Sequence, residues 1–301
     1  MRAGYDARVS SAIILCAGFG TRLRPLTDEL PKPLVPVGDR SILEHALGSL
    51  HAAGISELVI NVHHLPEQFP PVLAGLELNV RVLVEPEIRG TAGGVAGARG
   101  YLSSAPVLVW NGDILVAPPL DQLLVRCEPQ SFCFGVAPRP LGEGTVGLDA
   151  EGDVVRLRGE RFGSEQQSGD YVGVLSLGAG LLACLPERGC LFADVALPLL
   201  RAGGRVASVA VTAPWTDAGD PHSLLRANLA WLRARGLISF EGRAAEVAPG
   251  VELRQSVVGA GARVEGHGLL ERCLVCPGAG VFAPLSDAIV APSGRVIPIH
   301  V

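Results

Sequence analysis

Ala12-Ile13-Ile14-Leu15-Cys16-Ala17-Gly18-Phe19-Gly20-Thr21-Arg22-Leu23-Arg24-Pro25-Leu26-Thr27 is the stretch whose reading decides the fold. Its first six residues are apolar without interruption, and glycines stop the run. A short apolar run that does not alternate fits a strand buried on both faces, as in a parallel sheet. The glycine-rich turn then lies at the carboxyl end of that strand, where open parallel sheets bind ligands and where backbone N–H groups can converge on phosphate oxygens. Two familiar phosphate loops are excluded. A dinucleotide fingerprint needs a third glycine opening a helix, but Leu23 stands there and Pro25 follows, and the Gly-Lys-Ser/Thr of a P-loop is absent. The loop is cationic instead. Arg22 presents a planar fork to phosphate, and Lys32, between Pro31 and Pro33, is a point charge on a stiff support.

Working outward, Ser41-Ile42-Leu43-Glu44 is a capping box. It opens a helix with Leu43, Ala46, Leu47 and Leu50 on one face. Strands are predicted over 58–62, 80–84 and 106–110, with a small-residue helix over 91–101 before the last. Strands alternating with helices mean right-handed β-α-β units and a mostly parallel sheet. Shorter strands are predicted over 131–136, 154–157 and 171–177. Asp220-Pro221 reads as a helix N-cap with proline at the first helical position; the helix carries Leu224, Leu225, Leu229 and Leu232 and ends near Gly236. From Val247 the period changes. Val251, Val257, Val264, Leu270, Val275 and Val281 recur at about six residues among small neighbours, the signature of stacked β-helix coils. The expected fold class is α/β: a Rossmann-like, mostly parallel sheet with flanking helices over residues 1–236, and a short left-handed β-helix over 237–301. Residues 1–11 are expected to be a loose tail.

The chain has 301 residues, 48% of them hydrophobic and 18% charged, so a disordered state is excluded as the dominant one. Aromatics are only 5%, against 38 glycines and 23 prolines, so the core is aliphatic and the turns are many. A net charge of −5 without a basic stripe argues against a nucleic-acid partner. No apolar run approaches the ~20 residues of a membrane helix, and the first residues lack signal-peptide character. Seven cysteines, an odd number, read as reduced thiols. A cytoplasmic location is expected. Cys273-x-x-Cys276 has no second pair and reads as packing, and His63-His64 has no evident chemical role.

The motifs resemble those of the nucleotide-sugar pyrophosphorylases, the sugar-1-phosphate nucleotidyltransferases. The likeness begins with Gly18-Phe19-Gly20-Thr21-Arg22 and Pro31-Lys32-Pro33. It continues through Gly90-Thr91-Ala92-Gly93-Gly94 and Asn111-Gly112-Asp113 to Trp215-Thr216-Asp217-Ala218-Gly219-Asp220-Pro221 with Ala227-Asn228. The six-residue tail is similar to that of the family's mannose-1-phosphate guanylyltransferase-like members. The resemblance implies attack by a sugar-1-phosphate oxygen on the α-phosphorus of a nucleoside triphosphate, with Mg²⁺ as cofactor. It implies nucleotide contacts at Leu15, Ala17, Gly18, Gly20, Thr21, Glu85, Gly90, Thr91 and Ala92. Arg22 and Lys32 are the implied catalytic cations, and Asp113 and Asp217 the implied metal ligands. Sugar-phosphate contacts fall at Gly144, Gly173, Glu160 and Arg161; here Glu160-Arg161-Phe162 departs from the family's Glu-Lys-Pro.

Glu85 tilts the base toward guanine. A carboxylate matches the paired N1–H and N2–H₂ donors of guanine, whereas uracil or thymine offers one N–H between two carbonyls. The expected substrates are GTP and mannose 1-phosphate, with a uridylyl- or thymidylyltransferase of glucose or amino-sugar 1-phosphates as the alternative. A non-catalytic nucleotide-sugar-binding homologue is disfavoured because the four charged site residues are all present. An acyltransferase is disfavoured because about three coils with only His267 make a poor acyl-donor site. The tail is expected to support a homo-oligomer.

Overall fold

The opening apolar run forms β1 (Ser11–Cys16), the centre of a parallel array. A computed structural model describes residues 11–76, 78–102 and 106–300; the tail expected over 1–11 therefore lies, apart from Ser11, outside the described residues. Parallel ladders join β1 to β2 (Glu57–Val62) on one side and to β4 (Val107–Asn111) on the other; β3 (Val80–Val84) pairs in parallel with β2. The spatial order is thus β3-β2-β1-β4. Ala12, Ile13 and Ile14 are wholly buried, which is why the run does not alternate. The chain forms two compact units, one of Met1–Gly18 with Ala46–Trp215, the other of Phe19–His45 with Thr216–Val301.

In the first unit β4 also pairs, antiparallel, with β9 (Gln167–Leu177), and the ten-stranded sheet continues from there. One branch runs through β6 (Val146–Leu148), β7 (Val154–Leu157) and β8 (Glu160–Arg161), all antiparallel. The other is β5 (Phe132–Arg139), antiparallel to β9, with β10 (Val206–Ala210) parallel to it. Strands β5 and β9 exceed their predicted lengths. Their polar ends pair with each other from Ser168–Arg139 inward, so the partner strand extends them where the hydrophobic pattern has stopped. The small-residue helix is α2 (Gly90–Ala98), whose Ala92, Val95 and Ala98 are buried with Ile13 and Val59.

The capping box forms as predicted. At the start of α1 (Ile42–Ala52), Glu44 accepts from the Ser41 N–H at 2.7 Å and from its hydroxyl at 2.6 Å, and the Glu44 N–H returns a bond to Ser41 Oγ at 3.2 Å. In the second unit, α3 (Pro221–Ala234) is capped by Asp220, which accepts from the Ser223 N–H at 2.9 Å. Its buried face is Leu224, Leu225, Asn228, Trp231 and Leu232; Leu229 is only half buried. Asn228 accepts from the Gly38 N–H at 2.9 Å and donates to the Pro36 carbonyl at 3.2 Å.

After α3 the strands pair in parallel with partners about three repeats, one coil, further on: Phe240 with Val257, Val257 with Leu274, Glu246 with Arg263, and Arg263 with Gly280. Of the six periodic apolar residues, all but the half-buried Val251 are buried. This register is compatible with a β-helix. Cys273 and Cys276 are buried, and burial pushes their thiols up to about 11 and about 12. Among the described residues, no helix is long and apolar enough to cross a membrane.

Candidate active site

The sheet creates a switch point between β1 and β4, and Asp113 follows the end of β4 there. Gly112 fixes its approach. The Gly112 N–H donates to the Leu15 carbonyl at 2.9 Å, and a Cβ on Gly112 would stand only 2.6 Å from that same oxygen. The packing is therefore open to glycine alone. Burial first, and then the charge of Asp113, raise both the Cys16 thiol and the Tyr171 phenol.

Glu85 is not a solvated acid at a strand end. It is buried, and Asn61 Nδ2 donates to its Oε1 at 2.8 Å while the Arg89 N–H donates to its Oε2 at 3.3 Å. Asn61 Oδ1 accepts from the Cys16 N–H at 3.0 Å. His63 Nδ1 meets the Glu85 carbonyl oxygen at 2.8 Å. These bonds brace the end of β1 against the segment leading into α2. Sequence reasoning missed Asn61, although a lone amide inside the apolar run Leu58-Val59-Ile60-Asn61-Val62 was a readable signal. At the start of α2, the Ala92 N–H donates to Gly189 O at 2.9 Å, and Thr91 Oγ1 accepts from the Leu191 N–H at 2.8 Å. Gly90 packs on the backbone of Gly189. This segment is held by the chain around residue 190, a contact invisible in the sequence.

Of the sugar-side residues, Gly144 and Arg161 are linked through Arg156 and Glu165. Gly144 lies against the Gly169 carbonyl and Gly173 against Ile114. Glu160 pairs with Arg201 at 2.5 Å, and Arg161 with Glu165 at 3.3 Å. Glu165, which sequence reasoning missed, also grips Arg156 through both oxygens at 2.8 and 2.9 Å and accepts from Ser168 Oγ at 2.7 Å. The hydrogen bonds from Arg156 and Ser168 hold its carboxyl down at about 2. Nothing in the local sequence announces that pairing, because it joins β7 to the loop between β8 and β9.

The cationic loop belongs to the second unit. Gly20 has φ +62°, and a Cβ there would lie 2.9 Å from Thr27 and 3.0 Å from Lys32. The loop folds back on itself, with Thr27 Oγ1 donating to Gly20 O at 2.9 Å. Thr21 and Arg22 stand in an exposed helical turn. Within the same unit, Lys32 Nζ is 3.5 Å from Asp217 Oδ1 and Arg22 Nη2 is 3.7 Å from Asp217 Oδ2. The Lys32 side chain is only 9% exposed. In the first unit, Leu15 is half buried, Ala17 buried and Gly18 exposed, with open space where a Gly18 Cβ would be. Among the described residues, no three or more His, Cys, Asp or Glu side chains are grouped to hold a metal. Asp113 in the first unit and Asp217 in the second each present a carboxylate, the hard oxygen donor that divalent ions take.

A parallel β3-β2-β1-β4 array with an acid at its switch point defines an α/β protein built to bind a ligand at the carboxyl ends of its strands. Residues 11–233 match the family model described as nucleotidyl transferase, and the chain belongs to that family of enzymes. It is 28% identical to a mannose-1-phosphate guanylyltransferase of Mycobacterium tuberculosis, over 87% of this chain and 83% of that protein. It is 30% identical to an N-acetylmuramate alpha-1-phosphate uridylyltransferase of Caulobacter vibrioides, over 72% of this chain and 94% of that protein. Among solved structures, HddC from Yersinia pseudotuberculosis shares the fold, with a TM-score of 0.63 at 19% identity over 74% of this chain and 99% of that one.

Proposed function

We propose that the chain transfers a nucleoside monophosphate from a nucleoside triphosphate to a sugar 1-phosphate and releases pyrophosphate, with GTP and mannose 1-phosphate as the favoured pair. The observation that carries this reading is the ammonium of Lys32, buried and sharing the Asp217 carboxylate with Arg22. A buried ammonium needs an anion beside it; Asp217 supplies one and meets Arg22 with its other oxygen, so two cations converge at one place, as binding of a polyphosphate requires. The names of the Mycobacterium tuberculosis and Caulobacter vibrioides relatives, both sugar-1-phosphate nucleotidyltransferases, support the same reaction.

The nucleophile is a phosphate oxygen and already anionic, so no general base is required. The protein's task is to bring two polyanions into line and neutralise them. We assign Arg22 to the β- and γ-phosphates and the departing pyrophosphate, and Lys32 to the α-phosphate. The backbone from Leu15 to Thr21 is assigned to the triphosphate, and Glu85 with Gly90 to Ala92 to the base. Gly144, Gly173, Glu160 and Arg161 are assigned to the sugar. Asp113 and Asp217 are assigned to a divalent ion, taken as Mg²⁺, which supplies further positive charge at the phosphates when bound.

The uridylyl reading is supported by the name of the Caulobacter vibrioides relative. Both Glu85 oxygens already accept a hydrogen bond, from Asn61 and from the Arg89 N–H, which leaves a lone pair on each for the two guanine donors. A pyrophosphate-release screen of GTP, UTP, dTTP and ATP against mannose, glucose and amino-sugar 1-phosphates with Mg²⁺ decides. Release with GTP and mannose 1-phosphate is expected. Release with UTP alone moves the assignment to the second reading, and no release with any pair overturns the transfer.

A further inference from the structure

Beside the candidate site, the first unit contains a cavity of about 420 Å³ whose lining includes Gly144, Thr145, Arg156, Arg158, Tyr171 and Phe192. Its walls differ in what they have left to offer. Arg156 spends its guanidinium on Glu165 and on the Glu143 and Gly144 carbonyls. Thr145 Oγ1 accepts from the Tyr171 N–H at 2.9 Å and keeps its own proton to donate. Among the described residues, the Tyr171 hydroxyl takes no hydrogen-bond partner, and Arg158 makes no ion pair: its Nη1 reaches only the thiol of Cys190, at 3.9 Å. Among the described residues each neighbouring arginine has a carboxylate partner: Arg156 and Arg161 share Glu165, and Arg201 pairs with Glu160. No carboxylate stands in the lining. Most of the lining surface is apolar, its side-chain donors are few, and among the described residues Arg158 is the guanidinium in it without a carboxylate partner.

The backbone is unusual at this residue, as it is at a few other non-glycine positions. Arg158 and Gly159 form the two-residue turn between β7 and β8, with φ of +50° and +86°. Such a turn favours Asn, Asp or Gly at its first position. An arginine held in the left-handed region there is a departure that local folding does not explain.

We propose that this cavity receives the sugar of the substrate and that Arg158 binds an anionic oxygen group on it, a specificity contact that the departing Glu160-Arg161 segment does not supply. The proposal rests on the nucleotidyltransferase reading for the word sugar, and on the cavity alone for the anion. The anion is the 1-phosphate or an acid on the ring, and the two sources separate experimentally. Calorimetric titration of wild type and Arg158→Asn with glucose 1-phosphate and with glucuronic acid 1-phosphate reads binding without turnover; GTP is the control ligand. Asn suits the turn better than Arg, so the variant is expected to fold with an unchanged or higher Tm. At least a tenfold loss of affinity is expected for a sugar phosphate, with GTP binding unchanged. Equal loss for both compounds identifies the 1-phosphate, and loss for glucuronic acid 1-phosphate alone identifies the ring acid. Unchanged affinity for both in the variant, or a wild type that binds neither, overturns the proposal. Pyrophosphate release assayed in parallel keeps the two readings apart. Sugar-phosphate binding without any turnover fails the transfer and spares the cavity, and turnover with Arg158→Asn unaltered in binding fails the cavity alone.

Discussion

Lys32 concentrates the chemistry into one side chain. Its methylenes are buried between prolines while its Nζ faces Asp217, so its position is set before any substrate arrives, and preorganised charge acts on the transition state without reorganisation. Lys32→Ala is therefore expected to lower kcat by about 10²-fold, with the GTP dissociation constant changed far less, since Arg22 and the loop backbone remain. Steady-state kinetics beside direct nucleotide titration check this; an unchanged kcat removes Lys32 from the reaction. Gly112 and Asn61 act at the same scale but differently, by shaping the end of β1 on which Asp113 and Glu85 depend.

At the scale of elements, the cationic loop does not stand alone within its unit. Glu29, which closes the turn between Arg22 and Lys32, accepts from the Ser293 N–H at 2.9 Å and from its hydroxyl at 2.7 Å. The turn after the last long strand of the tail thus holds the loop from 264 residues away in the chain. Asn228 on α3 pins the loop's far end at Pro36 and Gly38. A single hydrogen bond of this kind contributes about 1 kcal/mol. Ser293→Ala is expected to raise KM for the nucleoside triphosphate by roughly two- to fivefold through loss of that bond, with KM for the sugar 1-phosphate unchanged. A rise confined to the sugar 1-phosphate, or none at all, separates the tail from the loop.

Among the described residues, many arginine–carboxylate pairs join segments far apart in sequence, and Glu165 is the most strongly shifted of the carboxylates. Its folded pKa of about 2 lies below its ordinary 4.5. A depressed carboxyl stabilises the fold at pH above 4.5, and the contribution disappears as pH falls through the folded value. Stability is expected to decline between about pH 4.5 and pH 2, and Glu165→Gln is expected to flatten that part of the curve while lowering stability at pH 7. Thermal unfolding of both proteins across that range is the measurement; parallel curves refute the assignment. The same pair gives Arg156 a carboxylate beside the cavity, whereas among the described residues Arg158 has none.

The strands of the parallel array, the capping box at Ser41, the Asp220 cap and the repeat of the tail were legible in the sequence, because each is a local pattern: an unbroken apolar run, a short polar signature or a fixed period. The order of the cations along the loop was equally plain. What Glu85 touches, which carboxylate neutralises which arginine, and where β5 and β9 end were not legible, because those facts are set by residues far away in sequence that packing brings alongside. Sequence by itself determined the elements and their chemical vocabulary, since local sterics and hydrophobic period act within a few residues. Tertiary structure alone decided that Glu165 is spent on Arg156 and that Arg158 is left open to a ligand, since the neutralisation of a charge depends on what lies within about 4 Å of it in space.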